Sequence, residues 1–156
     1  FWVGVRSEEA NLGVGVGVMG RGACILPIDA QGVECRIRVR SIVGRLLEHA
    51  RVFYVETINK DGTQSKKMWL SSADWMSRNM LRRIEIAWPI KQADMQQRIM
   101  QECLMPYLAD TDDAWVQIPQ GQYQLVNQQN AAFKQNATVH SAQKQLIKRY
   151  SAVDVR

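Results

Sequence analysis

The residues best suited to chemistry in this sequence are His49-Ala50-Arg51. If residue 49 already has strand geometry, the two functional side chains point to the same side. An imidazole beside a fixed guanidinium is a sensible phosphoryl-transfer site. The ring serves as nucleophile or general acid, and the guanidinium holds the transferring group. The neighbourhood fits that chemistry: five of the 13 arginines fall between Arg36 and Arg51, with no lysine among them and only Glu34 and Glu48 nearby as acids. Guanidinium presents a planar fork that meets phosphate oxygens two at a time, whereas an ammonium is a point charge. The plainer alternative is a structural histidine at a strand edge next to a solvated arginine face.

These side chains must be placed by their elements. Arg36, Arg38 and Arg40 alternate with Ile37 and Val39, so the three guanidinium groups share one face of a strand. Ile42, Val43, Leu46 and Leu47 then fall on one helical stripe with Ser41 as N-cap, which predicts a helix. Arg51 to Val55 reads as a buried strand, Asp61-Gly62 as a hairpin turn and Lys67 to Leu70 as the return strand. After it, Leu70-Ser71-Ser72-Ala73-Asp74 closes a strand in small hydroxyl residues before a short helix over 74–81. Backbone amides there are free to meet an anion, or Asp74 simply caps the helix; Asp74 also has i,i+4 spacing to Arg78. Residues 82–89 alternate, with Ile84, Ile86 and Trp88 on one face.

A methionine-rich stripe from Met95 to Leu108 reads as a core-facing helix that Pro106 bends or ends. Two short strands flank Gly121, residues 127–140 read as a loop, and Ser141 caps a final helix to Tyr150. The literal Gly-x-Gly-x-x-Gly at Gly15, Gly17 and Gly20 lacks the helix that a dinucleotide loop requires, so it reads as a glycine-rich strand or a loosely ordered lead-in. The expected class is α/β, a mixed sheet with helices on both faces.

At 156 residues the chain is about one domain's worth, with 46% hydrophobic and 22% charged residues, which excludes a disordered or collagenous chain. Cys24, Cys35 and Cys103 are odd in number and form no Cys-x-x-Cys pair, so neither a disulfide framework nor a structural zinc site is expected. Two histidines, His49 and His140, supply no His-rich metal site. No stretch is long and apolar enough to span a bilayer. The aromatics sit in core-like motifs, which speaks against nucleic-acid binding. Net charge is +5, and the chain opens on Phe1 without a methionine, as a piece of something longer would.

Arg38-Val-Arg-Ser-Ile-Val-Gly-Arg-Leu-Leu-Glu-His-Ala-Arg51, then Ser71-Ser-Ala-Asp-Trp-Met-Ser-Arg-Asn79 and Arg82-Arg83-Ile-Glu85, closely resemble the C-terminal domain of the long-chain polyphosphate kinases. Arg21-Gly22-Ala-Cys-Ile-Leu26 resembles an upstream strand of that family. The resemblance implies a phospholipase-D-like fold, with residues 1–20 a poorly matched lead-in and 21–156 the second phospholipase-D-like catalytic domain. It implies an enzyme that reversibly moves the terminal phosphate of ATP onto polyphosphate through a phosphohistidine in a domain this chain lacks.

The same resemblance assigns roles. His49 is the catalytic candidate, contacting nucleotide or assisting proton transfer. Arg21, His49 and Arg51 bind ATP or polyphosphate, with Arg45, Ser72, Asp74 and Arg78 as weaker candidates. Magnesium is implied and is held mainly by the missing domain; no metal ligand is assigned here. The implied partners are ATP or ADP, polyphosphate, the missing N-terminal and first catalytic domains, and further copies in a homo-oligomer. The location implied is cytoplasmic, or peripheral at a membrane. The fragment alone is expected to be inactive. Alternatives are a phospholipase-D-like phosphodiesterase and a non-catalytic polyanion-binding module. Arg51 where such phosphodiesterases carry lysine, and Glu56 where they carry aspartate, weaken the first of these.

Overall fold

A computed structural model describes residues 2–8, 15–20, 36–58, 63–74, 76–118, 121–129 and 140–151. Among these residues, eight strands form one mixed sheet: β1 (Trp2–Glu8), β2 (Gly15–Gly20), β3 (Arg36–Ile42), β4 (Val52–Ile58), β5 (Gln64–Ser71), β6 (Ala87–Pro89), β7 (Ala114–Gln117) and β8 (Tyr123–Leu125). Their order across the sheet is β6-β5-β4-β1-β2-β3-β7-β8. The pairs β1·β4 and β2·β3 are parallel, and the other neighbours are antiparallel. The Gly-x-Gly-x-x-Gly stretch is therefore strand β2, with no phosphate loop. β1 and β2, drawn from the first 20 residues, occupy the middle of the sheet.

The β4–β5 hairpin pairs as the sequence suggests, with Val52 opposite Leu70 and Tyr54 opposite Met68. Alternation puts Val52, Tyr54 and Met68 on one face. Against them pack Ile90, Ile99, Met100, Cys103 and Leu104. These come from α2 (Ala93–Ile99), the following π-helical turn Met100–Leu104 and the segment before α2. Of the stripe predicted from Met95 to Leu108, Ile99, Met100, Cys103 and Leu104 are thus core, Met95 and Leu108 at its ends are exposed, and the segment is not one regular helix. The extra residue in the π turn precedes α3 (Met105–Leu108), which starts with Pro106 in its first turn, where a missing N–H costs little. A second cluster joins Ile42 and Ala114, direct partners across β3 and β7, with Tyr107 and Val126. On the other sheet face, α1 (Ser77–Arg82) stands across from Phe53, Val55 and Trp69. Helices therefore lie on both sides of the sheet, with an open cleft between α1 and its face.

The helix predicted after Ser41 does not form. Ser41 and Ile42 stay in β3, and residues 43–50 follow as irregular chain. Ile42 gains more from pairing with Ala114, where it is 1% exposed, than from a helical stripe. Val43, Leu46 and Leu47 are left exposed, so the stripe has no core to face. The second helix starts at Ser77 rather than 74, and the strand predicted over 82–89 is confined to Ala87–Pro89. Strands β7 and β8 turn at Gly121, whose φ of 79° is a conformation that glycine adopts without steric cost. Val126–Gln129 forms a helical turn, α4, where a loop was expected. Cys24, Cys35 and the predicted turn at Asp61-Gly62 lie outside the described residues.

Ser141 caps the last helix, α5 (Ala142–Ser151), by accepting the Lys144 N–H at 3.3 Å. The fully buried Asp110 accepts the Asp113 N–H at 2.8 Å and the Ala142 N–H at 2.7 Å. Its backbone carbonyl takes a 2.7 Å hydrogen bond from Arg40. Arg40 is therefore a structural residue that satisfies the carbonyls of Tyr107, in the last turn of α3, and of Asp110 just past it; burial lowers its pKa, and Asp110 opposes that.

Leu104 is fully buried in the larger cluster. Leu104→Ala is expected to lower unfolding free energy by about 2–5 kcal/mol, read from the urea midpoint.

Candidate functional site

His49 and Arg51 lie on the stretch that leads into β4. Ser71 N–H donates to the Arg51 carbonyl at 3.0 Å, so the β4–β5 pairing extends one residue and brings the turn after β5 beside Arg51. There Arg51 Nε donates to Asp74 Oδ1 at 2.8 Å and its Nη2 to Asp74 Oδ2 at 3.1 Å, a two-pronged fork. The same Nη2 lies 2.8 Å from His49 Nε2, and that ring nitrogen is 4.0 Å from Asp74 Oδ2. A guanidinium can only donate, so His49 Nε2 accepts, and the proton of the neutral ring sits on Nδ1. The His49 side chain is 61% exposed, while those of Arg51 and Asp74 are each 22% exposed. A held pair thus supports an imidazole that faces outward.

The hydrogen bond from Arg51, reinforced by its charge, holds the Asp74 carboxyl below its ordinary value of 3.8; partial burial opposes the shift. The folded pKa is depressed. The pair's contribution to stability is therefore complete above that ordinary value and is lost as pH falls through the lower, folded one.

The turn that carries Asp74 has its own supports. Ser72 Oγ donates to Glu85 and accepts the Ile86 N–H at 3.0 Å. Asn79, buried on α1, donates to the same Glu85 at 2.6 Å. Hydrogen bonds from Ser72 and Asn79 hold Glu85 below the usual carboxylate range. The amides of Ser71, Ser72 and Ala73 donate to Arg51 O, Ile86 O and Ser71 Oγ, so the anion-binding amides expected at this turn are already engaged. Asp74 likewise does not pair with Arg78; it precedes the helix and takes Arg51 instead.

Of the residues singled out by sequence, the structure brings together His49, Arg51 and Asp74. Ser72 sits at the base of the Asp74 turn. Arg45 and Arg78 are exposed, one on the bend before His49 and one on α1. Arg21 lies outside the described residues. Glu85 and Asn79 were not assigned a role from sequence, although both fall inside the quoted motifs. An open, mainly apolar cleft of about 910 Å³ adjoins the turn, lined by Phe53, Val55, Trp69, Met76, Met80 and Ile86 among others. Among the described residues no three His, Cys, Asp or Glu side chains converge as a metal site, and Asp74 is engaged by Arg51. The residues present here do not fit a magnesium ion.

Chemically, the arrangement offers a fixed cation and an imidazole with a free N–H, both suited to an anionic group approaching from solvent.

Residues 7–138 match the family described as polyphosphate kinase C-terminal domain 2. The chain is 41% identical over 116 residues to a polyphosphate kinase of Burkholderia ambifaria strain MC40-6, covering 74% of this chain and 16% of that protein. It is 45% identical over 111 residues to one from Neisseria meningitidis serogroup B, covering 71% and 16% respectively. The chain thus spans about a sixth of the length of these curated relatives. The crystal structure of a polyphosphate kinase from Porphyromonas gingivalis superposes with a TM-score of 0.68 at 21% identity, over 96% of this chain and 23% of that one, which shows a shared fold.

Replacing Arg51 by Gln removes the dominant cause of the Asp74 shift. The Asp74 carboxyl, followed by 13C NMR in a pH titration, is expected to titrate below 3.8 in the unmodified protein and to move up in Arg51→Gln.

Proposed function

Because this chain belongs to the polyphosphate kinase family, we propose that it is the C-terminal, second phospholipase-D-like catalytic domain of a longer enzyme. That enzyme reversibly transfers the terminal phosphate of ATP to polyphosphate. Residues 21–156 carry the family's site positions, and β1 and β2 complete the sheet that holds them. The observation that carries the reading is the Arg51 fork on Asp74 with His49 Nε2 at 2.8 Å from the same guanidinium.

In this reading the transferred phosphoryl group passes through a phosphohistidine on the preceding catalytic domain. The P–O bond to the leaving ADP breaks as the P–N bond forms, and the reverse exchange delivers the group to the chain end. Little covalent work falls to this domain; positioning and charge stabilisation dominate phosphoryl transfer. Arg51, pre-set by Asp74, holds a phosphate oxygen without reorganising. His49 donates from Nδ1 to the nucleotide or chain phosphate and moves a proton as needed. Arg21 binds nucleotide phosphates, and Arg45 and Arg78 extend the basic approach for a polyanion. Ser72 and Asp74 act through the turn and the fork.

The magnesium that the family uses is assigned to the remainder of the polypeptide, since the donor set here does not fit it. No helix among the described residues is long and apolar enough to cross a membrane; we place the enzyme in the cytoplasm, where its nucleotide is. The exposed apolar side chains of α1 and its flanks, Met76, Met80, Leu81, Ile84 and Ile86, suit burial against the other domains of the polypeptide or another copy in a homo-oligomer.

Two outcomes test this reading. The isolated chain is expected to make no polyphosphate from ATP. In the full-length protein, His49→Ala is expected to lower ATP-dependent polyphosphate synthesis by about 10²–10⁴-fold. Synthesis by the isolated, pure chain would overturn the missing-domain assignment, and unchanged turnover in His49→Ala would overturn the role of His49.

A further inference from the structure

The stretch that delivers His49 is irregular chain from Val43 to Ala50, and at Leu46 the backbone groups take their partners from no helix or sheet ladder. At its centre they are met by one side chain from far along the sequence. Gln143, 4% exposed in the first turn of α5, donates from Nε2 to the Leu46 carbonyl at 2.8 Å and accepts the Leu46 N–H on Oε1 at 2.8 Å. Its carboxamide does for Leu46 what a neighbouring strand would do. The same Nε2 lies 2.5 Å from Glu48 Oε1, one residue before His49. Tyr107 hydrogen-bonds Glu48 as well, and burial together with that carboxylate pushes the phenol pKa up.

Room for the carboxamide is made by Gly44. A Cβ there would lie 2.5 Å from Gln143 Oε1, 2.7 Å from its Cδ and 3.2 Å from Asp113 Oδ2. Gln143 is itself fixed at its base. Ala142 N–H donates to the buried Asp110 at 2.7 Å, and Ser141 Oγ donates to Asp113 Oδ2 at 2.6 Å. Asp113 also takes the Val43 N–H on its carbonyl at 2.9 Å, so one turn grips both α5 and the start of the stretch.

We propose that Gln143 is a positioning residue for His49: its carboxamide sets the 44–48 stretch in the one path that presents the imidazole to Arg51 and to incoming phosphate. This rests on the reading of His49 given above. A displacement of the order of 1 Å at a reacting group costs up to about 10²-fold in rate. Gln143→Glu keeps the shape and the acceptor but replaces the donor to Leu46 and Glu48 with a second carboxylate. Gly44→Ala pushes the same carboxamide aside from the opposite direction and leaves α5 unaltered. Arg149→Ala is the control, because it removes the α5 ion pair to Glu102 (3.3 Å) near the far end of the helix and touches neither the Gln143 base nor residues 44–48.

The test is steady-state polyphosphate synthesis by the full-length enzyme, with kcat referred to the folded fraction and the thermal midpoint measured on the same samples. Gln143→Glu and Gly44→Ala are each expected to lower kcat by about 10- to 100-fold, with KM for ATP within about two-fold of the parent. Arg149→Ala is expected to lower the midpoint while kcat stays at the parent value. Unchanged kcat per folded molecule in both Gln143→Glu and Gly44→Ala would overturn the proposal. So would a kcat loss in Arg149→Ala equal to theirs, which would mean that loosening α5 explains everything. If Gln143→Glu does not fold, Gly44→Ala alone decides. His49→Ala in the same assay keeps the two readings apart: full activity there removes the site itself, whereas loss there without loss in the Gly44 and Gln143 variants removes only the positioning role.

Discussion

The bidentate pair between Arg51 and Asp74 is the interaction on which the site depends. It joins two pieces of backbone that no single element connects: the entry to β4 and the turn after β5. Each partner is about one-fifth exposed, so the fork is neither fully desolvated nor free to wander in water. Its geometric effect matters more than its contribution to stability, because exposed and partly exposed pairs stabilise folds weakly. What it supplies is a guanidinium with one orientation, and hence one place where His49 Nε2 can accept its hydrogen bond.

Everything around the pair serves to keep that orientation. The β4–β5 register places Ser71 opposite Arg51, and the Ser72–Glu85–Asn79 contacts hold the Asp74 turn on α1. Beneath β4, Val52 is 2% exposed in the cluster closed by Ile99 and Leu104, so the strand cannot shift without opening the core. From the other side, α5 reaches the stretch before His49 through Gln143. The face that carries His49 is thus made from exposed polar groups standing on rigid, buried ones, an arrangement in which loops on a fixed scaffold can carry function.

The parts of this that were legible in the sequence are those fixed by near neighbours. The His49-x-Arg51 spacing, the β4–β5 hairpin, the β7–β8 pair around Gly121 and the Ser141 cap all follow from periodicity or turn chemistry over a few residues. The parts that were not legible depend on contacts distant in sequence. The apolar stripe after Ser41 reads as a helix locally, but Ala114 claims Ile42 for the sheet and Gln143 claims Leu46. Asp74 has ideal helical spacing to Arg78, yet Arg51, 23 residues earlier, offers two donors at once. The amides after β5 look free until Ile86 and Arg51 are seen to occupy them. Gln143 carried no signal in its own window, since its meaning lies 97 residues away. The long motifs that resemble polyphosphate kinases were visible throughout, and Asn79 and Glu85 sat inside them; their spacing alone did not say what those side chains bond.

We propose that Arg51 and Asp74 work as one unit in phosphoryl transfer by the full-length enzyme. A double-mutant cycle on kcat/KM for ATP, with Arg51→Lys, Asp74→Asn and the double variant, tests it most directly. Lysine cannot reproduce the fork and asparagine cannot hold the charge. If the two act through one geometry, either single change already forfeits it, and the double variant is expected to fall little below the worse single one. Losses that simply multiply would contradict the claim, because they would show two residues contributing independently.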